Sequence, residues 1–461
     1  MTDSGNPDVR RKFWQEAKAL AILAGPLVAN NLAIAGMNVT DTVMAGRLGA
    51  TNLAAVAVGS SIWMVAFLFG LGVMMAMSPT AAHFYGAGEH GRIGGYTRQC
   101  LWLSQGLAWI LVLLLHHAGA LLTAIGIDSE IIPLTSGYVY AISWGMPFGL
   151  AYLALRFTSE GVGWTRPIMY IALIALVVNA LGNYVLMFGK LGLPALGAVG
   201  CGWASAITTA IMLLFMATYI AVHKRYKPFR IFDRFELPHL GKLRELAALG
   251  LPIGVSVISE AGMFSAVALL MGTLGAVVVA AHQVAINYAA TMFMIPLAMH
   301  SAMTIRVGQT VGRGKPRDAR YMGLVGITLC GLIMAASAAI MLIFREAIVG
   351  FYTTDTAVRD IAVSLLVMAA VFQISDGIQV GGAGALRGFK DTKIPMLLNF
   401  AGYWLLGFPL AYYLGVVLEQ GPKSVWFGLV ASLTVTAVLL NGRFLVVSRR
   451  AIRAAGGPGG H

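Results

Sequence analysis

The chain has 461 residues, of which 58% are hydrophobic and only 11% are charged, and its mean hydropathy is +0.78. A soluble globular protein carries about 25% charged residues, so this composition excludes a soluble globular fold and indicates an integral membrane protein. The formal net charge of +13 would suggest nucleic-acid binding in a soluble chain, and the distribution of the basic residues argues against that interpretation.

Twelve apolar runs, bounded by charged and turn residues, follow one another along the chain. Each is long enough for a membrane-spanning helix of about 20 residues, and strand-type alternation is absent. The predicted spans cover residues 17–45, 52–82, 96–118, 131–155, 167–188 and 195–222, and then 246–271, 278–305, 321–344, 358–385, 394–417 and 424–447. The sequence therefore predicts an all-α polytopic membrane protein with twelve transmembrane helices.

The longest polar stretch between two spans lies in the middle of the chain. We interpret it as a linker between two lobes of six helices each. The predicted divisions are an N-terminal cytoplasmic segment, an N-lobe, a cytoplasmic linker, a C-lobe and a cytoplasmic C-terminal tail, at residues 1–16, 17–222, 223–245, 246–447 and 448–461.

The basic residues predict the orientation of the spans. With both termini inside, 27 of the 32 Lys and Arg residues fall in inside segments and five fall outside. Basic loops are retained on the cytoplasmic side of a membrane, where they also face anionic lipid. We therefore expect a multi-pass protein of the bacterial inner membrane with both termini in the cytoplasm, in contact with lipid and not with nucleic acid.

Three acidic residues fall inside predicted spans: Asp41 in span 1, Glu260 in span 7 and Asp376 in span 10. No basic residue lies well inside any predicted span to neutralise them. A charged side chain at a helix centre costs roughly 2.5–3.5 kcal/mol on insertion scales, and intramembrane acids are usually functional. The alternative is that one of them, Asp41 above all, lies nearer the interface and reaches water.

An internal repeat predicts how the helices are arranged. The second half of the chain can be aligned on the first so that Pro252 superposes on Pro26. In this alignment Gly262 superposes on Gly36, and many further apolar and glycine positions match without a gap. Each half holds six spans, so the halves insert in parallel, as two pseudo-symmetric lobes of a 6+6 transporter-like fold. The three acids do not follow the repeat, which predicts different sites in the two lobes.

Several stretches together resemble the multidrug and toxic compound extrusion (MATE) transporters, in particular their NorM-like bacterial branch, over nearly the whole chain. They are Asp41–Gly46, Pro252-Ile253 with Ser259-Glu260, Ala281–Ala285, and Asp376 followed by Gly381–Gly388. The resemblance implies export of organic cations and drugs by antiport against H+ or Na+. It also implies that Asp41, Glu260 and Asp376 bind the coupling ion, with Asp41 meeting substrate as well.

The coupling ion is left open between H+ and Na+. Phe372 stands where the resemblance leads one to expect a tyrosine, so one oxygen ligand for Na+ is missing. Ser375 is a candidate cation ligand, and Na+ could bind transiently at Glu260 and Asp376, because hard cations require only enough oxygen atoms. No cofactor and no resident metal are expected.

Further polar or aromatic residues are candidates for substrate contact. In span 8 they are Gln283, Asn287 and Tyr288, for which hydrogen bonding between helices is the alternative. Phe372 in span 10 and Asp355 in the preceding outer loop are two more, and Asp355 is otherwise an ordinary solvated acid.

The predicted function is secondary active efflux, with the two lobes rocking between inward and outward access. The chain lacks GxxxxGK[ST] and HExxH motifs, which gives no support for ATP-driven transport or a metalloenzyme. The alternatives are a lipid-linked flippase of the same superfamily and an intramembrane enzyme with acid and base carboxyl groups. A self-contained pair of lobes does not require oligomerisation.

Overall fold

The computed structural model describes residues 7–124 and 129–456, and helices account for nearly all of its regular structure. No strand occurs in these described residues. Residues 1–6 of the predicted N-terminal segment and residues 457–461 of the predicted tail lie outside the described residues.

The helices before the linker are numbered in chain order. They are α1 (Pro7–Arg47), α2 (Ala50–Met74), α3 (Met77–Gly86), α4 (His90–His116), α5 (Ala118–Ala124), α6 (Ile132–Ser143), α7 (Met146–Gly161), α8 (Arg166–Phe188) and α9 (Gly197–Val222). A 3-10 helix at Lys224–Phe229 opens the linker.

The helices after the linker continue the same numbering. They are α10 (Leu240–Thr273), α11 (Ala276–Gly312), α12 (Pro316–Ile343), α13 (Arg345–Tyr352), α14 (Thr356–Gly388), α15 (Lys393–Phe400), α16 (Phe408–Tyr412) and α17 (Pro422–Ala455). Two π-helical segments, Ala401–Gly407 and Tyr413–Val417, flank α16 and complete one continuous span at Lys393–Val417.

The number of spans agrees with the sequence. Within the described part of the chain, 11 helical segments are long and apolar enough to cross a membrane, and the pair α6 and α7, bent by 42°, makes a twelfth. The bend has a covalent cause, because Pro147 has no amide N–H to donate to the carbonyl of Ser143. The predicted all-α fold with twelve transmembrane helices is confirmed.

Two helices continue beyond the predicted ends of their spans and include charged residues there. Helix α7 continues to Gly161, beyond the predicted end at residue 155, and buries an ion pair in which Arg156 Nε lies 2.8 Å from Glu160 Oε1. Helix α14 likewise continues to Gly388 and includes Arg387. Helices end where their hydrogen-bond ladder ends, and hydropathy alone does not mark that point.

The chain divides into two compact units. The N-unit is Pro26–Gly254, and the C-unit consists of Met1–Gly25 together with Val255–His461. Both divisions fall inside long helices, beside Pro26 in α1 and Pro252 in α10, where a proline removes one backbone hydrogen bond. Residues 17–25 therefore belong to the C-unit, and residues 246–254 belong to the N-unit. Lobes that are contiguous in sequence would place each of these segments in the opposite unit.

Close contacts within each unit involve these two segments or the residue next to them. In the C-unit, Arg306 on α11 donates two hydrogen bonds to the carboxylate of Glu16 on α1. In the N-unit, a Cβ built on Gly250 of α10 would lie only 2.3 Å from the carbonyl oxygen of Val73, and one built on Gly72 would lie 2.5 Å from Gly254 Cα. Glycine at these positions lets the two backbones approach closely.

Helix α14 is central in the C-unit, where it packs against α11, α12 and α17. Its apolar side chains, among them Leu365 and Leu366, join a core that also contains Val267, Met341 and Trp426. The helix begins with a side-chain cap, because Asp355 Oδ1 accepts hydrogen bonds from the amides of Ala357 at 2.9 Å and Val358 at 3.4 Å.

We predict that Gly250→Ala destabilises the protein, because the new methyl group collides with the Val73 carbonyl and overpacking of this kind costs about 1–3 kcal/mol. The measurement is the thermal unfolding midpoint of the purified protein in detergent, which should fall. Gly272→Ala is the control on the same helix, since nothing lies within 4 Å of a Cβ built there. Equal midpoints for the two variants would contradict the close approach of α10 and α2.

We predict that Asp355→Ala speeds hydrogen exchange of the first amides of α14 by a few-fold to about 30-fold, because loss of an N-cap costs about 0.5–2 kcal/mol. Asp355→Ser should exchange nearly as slowly as the parent, since serine also caps. Exchange in the serine variant as fast as in the alanine variant would contradict the role of Asp355 as a cap.

Candidate functional site

Asp41 lies near the C-terminal end of α1 and is partly buried in the N-unit. Its two carboxylate oxygens are contacted from two other helices. Asn183 Nδ2 on α8 donates to Oδ1 at 2.5 Å, and Ser205 Oγ on α9 donates to Oδ2 at 3.4 Å. The carboxylate is therefore held between three helices of one unit.

The partners of Asp41 are themselves linked and uncharged. Asn179, one turn before Asn183, accepts a hydrogen bond from it at 3.4 Å and donates one to Ser205 Oγ at 3.4 Å. Asn183 Oδ1 is buried without a hydrogen-bond partner among the described residues, and no ion pair joins Asp41 to a basic side chain there. The cluster offers carboxylate, amide and hydroxyl oxygens, which are the ligands of hard cations, and a carboxylate that can take a proton.

The second cluster lies in the C-unit around Asp376 of α14. This side chain is only 4% exposed, and its Oδ1 has no hydrogen-bond partner within the described parts of the chain. Glu260 on α10 is partly buried, and its charge acts on Asp376 and on the buried Tyr403. The two carboxylates thus lie in one buried region, where a bound proton or cation would relieve both their repulsion and their desolvation.

Buried amide side chains extend this second cluster along α14. Gln373, Asp376 and Gln379 follow one another at intervals of three residues, so they lie on neighbouring turns of the same face. Gln379 donates a hydrogen bond to the Tyr403 hydroxyl, and Gln373 accepts one from Ser337 at 3.1 Å. Gln379 Oε1 and Gln373 Nε2 are buried without partners among the described residues, which leaves one acceptor and one donor beside Asp376.

One basic residue lies at the end of a helix that carries one of these acids, just beyond the predicted end of span 10. Arg387 belongs to the last turn of α14, and its charge acts on Glu260 and on the buried His300. The helix rises about 1.5 Å per residue, which places the Arg387 backbone about 16 Å along the axis from Asp376. The C-unit cluster is therefore acidic at its centre and basic at one end.

The remaining candidates are placed as follows. The hydroxyls of Ser375 and Thr434 are hydrogen-bonded to each other at 2.8 Å. Phe372 is buried between Phe264 and Trp426 at ring separations of 5.9 and 5.6 Å. Asp355 caps α14. None of these three is brought together with the acids by the contacts observed, and their predicted ion and substrate roles stay predictions.

The candidates on α11 lie one turn apart. Gln283 and Asn287 are exposed, and Tyr288 is partly buried against the C-unit core. Exposed amides on a helix with long apolar runs suit contact with a polar ligand, and substrate contact remains the prediction for all three.

Sequence analysis missed most of the uncharged residues that surround the acids. Asn179 and Asn183 stand out in the apolar run of α8 and share a face at a spacing of four, so their position could have been noticed. Gln373 and Gln379 flank Asp376 with a spacing of three in the same way. Ser205 and Tyr403 give no such signal, because a lone hydroxyl is common in membrane helices.

The MatE family model matches this chain twice, at residues 26–185 and 252–413. The two matches begin at Pro26 and Pro252, which are the prolines that the internal repeat superposes.

Two curated relatives match over almost the whole chain. The probable multidrug resistance protein NorM of Xanthomonas campestris pv. campestris is 40% identical over 445 residues, covering 96% of this chain and 97% of the relative. The multidrug resistance protein MdtK of Edwardsiella ictaluri is 39% identical over 436 residues, covering 93% of this chain and 95% of the relative.

The fold is that of a solved transporter. The crystal structure of the eukaryotic MATE transporter AtDTX14 superposes with a TM-score of 0.86, covering 96% of this chain and 99% of that one, at 21% sequence identity. Because the family model matches most of the chain in both halves and the two curated relatives span it almost from end to end, the chain belongs to the MatE family of membrane transporters and is not an enzyme.

Proposed function

We propose that this protein exports cationic or amphipathic drugs from a bacterial cell by antiport against H+ or Na+. The names of its relatives support the substrate class, since the NorM and MdtK proteins are multidrug resistance proteins and match over nearly the full length of both chains. The stretches that resemble the MATE transporters include Asp41, Glu260 and Asp376, and this resemblance supports coupling of drug export to an ion.

The observation that carries the proposal is the buried Asp376 oxygen that has no hydrogen-bond partner among the described residues. An ionised carboxylate in an apolar surrounding is costly unless a proton, a cation or hydrogen bonds compensate its charge. A coupling ion can provide that compensation, and so can the positive group of a drug. Competition for the same carboxylates then exchanges one cation for the other.

The N-unit cluster adds a second place for a coupling ion. Asp41 with Asn179, Asn183 and Ser205 provides several oxygens within one compact group, which suits Na+ as well as H+. Phe372 provides no oxygen and is buried among aromatic rings, so a Na+ site in the C-unit would use Glu260 and Asp376 with backbone or water oxygens. An inward-moving monovalent cation releases about 2.3 kcal/mol per 100 mV of membrane potential.

The proposed transport cycle alternates between inward and outward access as the two lobes rock, with each bound cation shifting the population of states. We place the protein in the bacterial inner membrane with both termini in the cytoplasm, because 27 of its 32 basic residues then lie on the cytoplasmic side. A lipid-linked flippase is less well supported. The buried Arg156 is neutralised by Glu160 and is not available to a pyrophosphate head group.

We predict that Asp376→Asn and Glu260→Gln each reduce gradient-driven ethidium transport by more than about tenfold, the effect of about 1.4 kcal/mol of lost coupling free energy. The purified protein is reconstituted in vesicles, and dye movement is followed after a pH gradient alone or a Na+ gradient alone is imposed. The gradient that drives the parent protein identifies the coupling ion. The variants keep side-chain size while removing the charge.

Asp360→Asn is the matched control, because Asp360 is an exposed acid on the same helix as Asp376. It should transport the dye at the rate of the parent. Unchanged transport in both Asp376→Asn and Glu260→Gln, with the protein correctly folded, would rule out the coupling role of these acids. Dye movement that neither gradient accelerates would rule out antiport.

A further inference from the structure

A cavity of about 370 Å³ lies in the N-unit between α4 and the end of the linker. Its α4 wall includes Leu101 and Trp102, and its linker wall includes Ile231, Phe232 and Phe235. The volume is about twelve times the share of one water molecule in the liquid, roughly 30 Å³. The cavity is large enough for part of a chain-like apolar ligand.

The linker wall is a segment we call the strap, residues 230–239, which is fastened along α4. Arg98 donates hydrogen bonds to the carbonyls of Arg230 at 2.5 Å and Ile231 at 3.0 Å. Gln99 donates to the Leu237 carbonyl and accepts from the His239 amide, at 3.0 and 2.7 Å. These bonds hold the strap in one position without filling the space beneath it.

The apolar walls of the cavity are open to the surroundings. Phe235 is 78% exposed and Phe232 is 47% exposed, although both are large and apolar. Trp102 contacts Phe235 edge to face at 5.9 Å, and it begins an exposed stripe on α4 that continues through Trp109 and Leu113. A stripe of large exposed apolar residues on a spanning helix faces lipid, so the cavity lies beside the acyl chains.

The polar end of the cavity carries an excess of positive charge. The carboxylate of Glu236 is contacted by Arg98 at 2.9 Å, Arg234 at 2.7 Å and Lys242 at 3.9 Å, so three cations surround one anion. The hydrogen bond from Arg98 lowers the pKa of Glu236, which is therefore ionised at neutral pH. Arg234 is largely exposed and has five N–H donors, so it can bind a further anion.

The cavity runs along the first half of α4. This helix has 27 residues and is about 40 Å long. Arg98 lies about 12 Å from its start, and Gln105, which also lines the cavity, lies about 10 Å further along. The charged residues of the cavity are thus nearer the helix end, and Trp102 lies between them and the middle of the helix.

We propose that this cavity is a binding site for an anionic phospholipid, with the phosphate on Arg234 and Lys242 and one acyl chain against Trp102 and Phe235. A zwitterionic lipid would fit the apolar walls but would not match the two positive charges in excess. Binding fastens the strap, and with it the start of α10, to the head-group layer.

The test uses the full-length protein in phosphatidylcholine vesicles to which brominated phosphatidylglycerol or brominated phosphatidylcholine is added. Bromine quenches tryptophan fluorescence on contact. The chain has nine tryptophans, so the fluorescence of Trp102 is obtained as the difference between the parent protein and Trp102→Phe. We expect the Trp102 signal to be quenched at a several-fold lower mole fraction of phosphatidylglycerol than of phosphatidylcholine. Arg234→Gln with Lys242→Gln should bring that ratio to about one.

The control is Lys315→Gln with Arg317→Gln, which removes the same charge from two exposed residues at the start of α12. It should keep the preference for phosphatidylglycerol. An equal loss in the control would show general surface attraction and overturn the proposal. A parent protein without a preference for phosphatidylglycerol would also overturn it.

Glycerol phosphate should not compete with the lipid. If it abolishes the preference, the site binds a free anion and not a lipid. Arg234→Gln alone, at an exposed position, repeats the test if the double variant folds poorly.

Discussion

The cost of an ionised carboxylate in an apolar surrounding constrains this molecule more than any other interaction. Each unit answers that constraint differently. In the N-unit, Asp41 accepts hydrogen bonds from Asn183 and Ser205, which compensate part of its charge with neutral donors. In the C-unit, Asp376 keeps an oxygen without a partner among the described residues and shares its surroundings with Glu260. The two carboxylate clusters therefore differ in how far neutral hydrogen-bond donors compensate their charge.

The short ion pairs among the described residues lie away from the three central acids. Arg98 pairs with Glu236, Arg156 with Glu160 and Arg443 with Asp391 at distances of 2.7–2.9 Å, and Arg306 pairs with Glu16. These pairs fasten helices and the linker near helix ends, where partners of both signs are close in space. Within the described residues, no such ion pair at short range involves the three central acids. The charge of Arg387 acts on Glu260 from the end of α14.

The first helical segment of each sequence half belongs to the unit formed mainly by the other half. Gly72, Gly250 and Gly254 bring α2 and α10 together at distances that leave no room for a side chain, and the prolines at 26 and 252 lie beside the points where the units divide. The two family matches begin at the same two prolines. The strap, in contrast, belongs to the linker between the two halves of the repeat, and its aromatic residues Phe232 and Phe235 are exposed.

The membrane character, the twelve spans and the internal repeat could all be predicted from the sequence, because hydropathy and the spacing of glycine and proline are local properties that add up along the chain. Asp41, Glu260 and Asp376 could be identified in the same way, since an acid in an apolar run is conspicuous. The groups that meet these acids could not be predicted, because they depend on how the helices pack. Asn183 and Ser205 lie 142 and 164 residues from Asp41 along the chain, and helix packing alone brings them within hydrogen-bonding distance. The helical position of Arg387 and the cap formed by Asp355 likewise depend on where backbone hydrogen bonding begins and ends, which apolar composition does not specify.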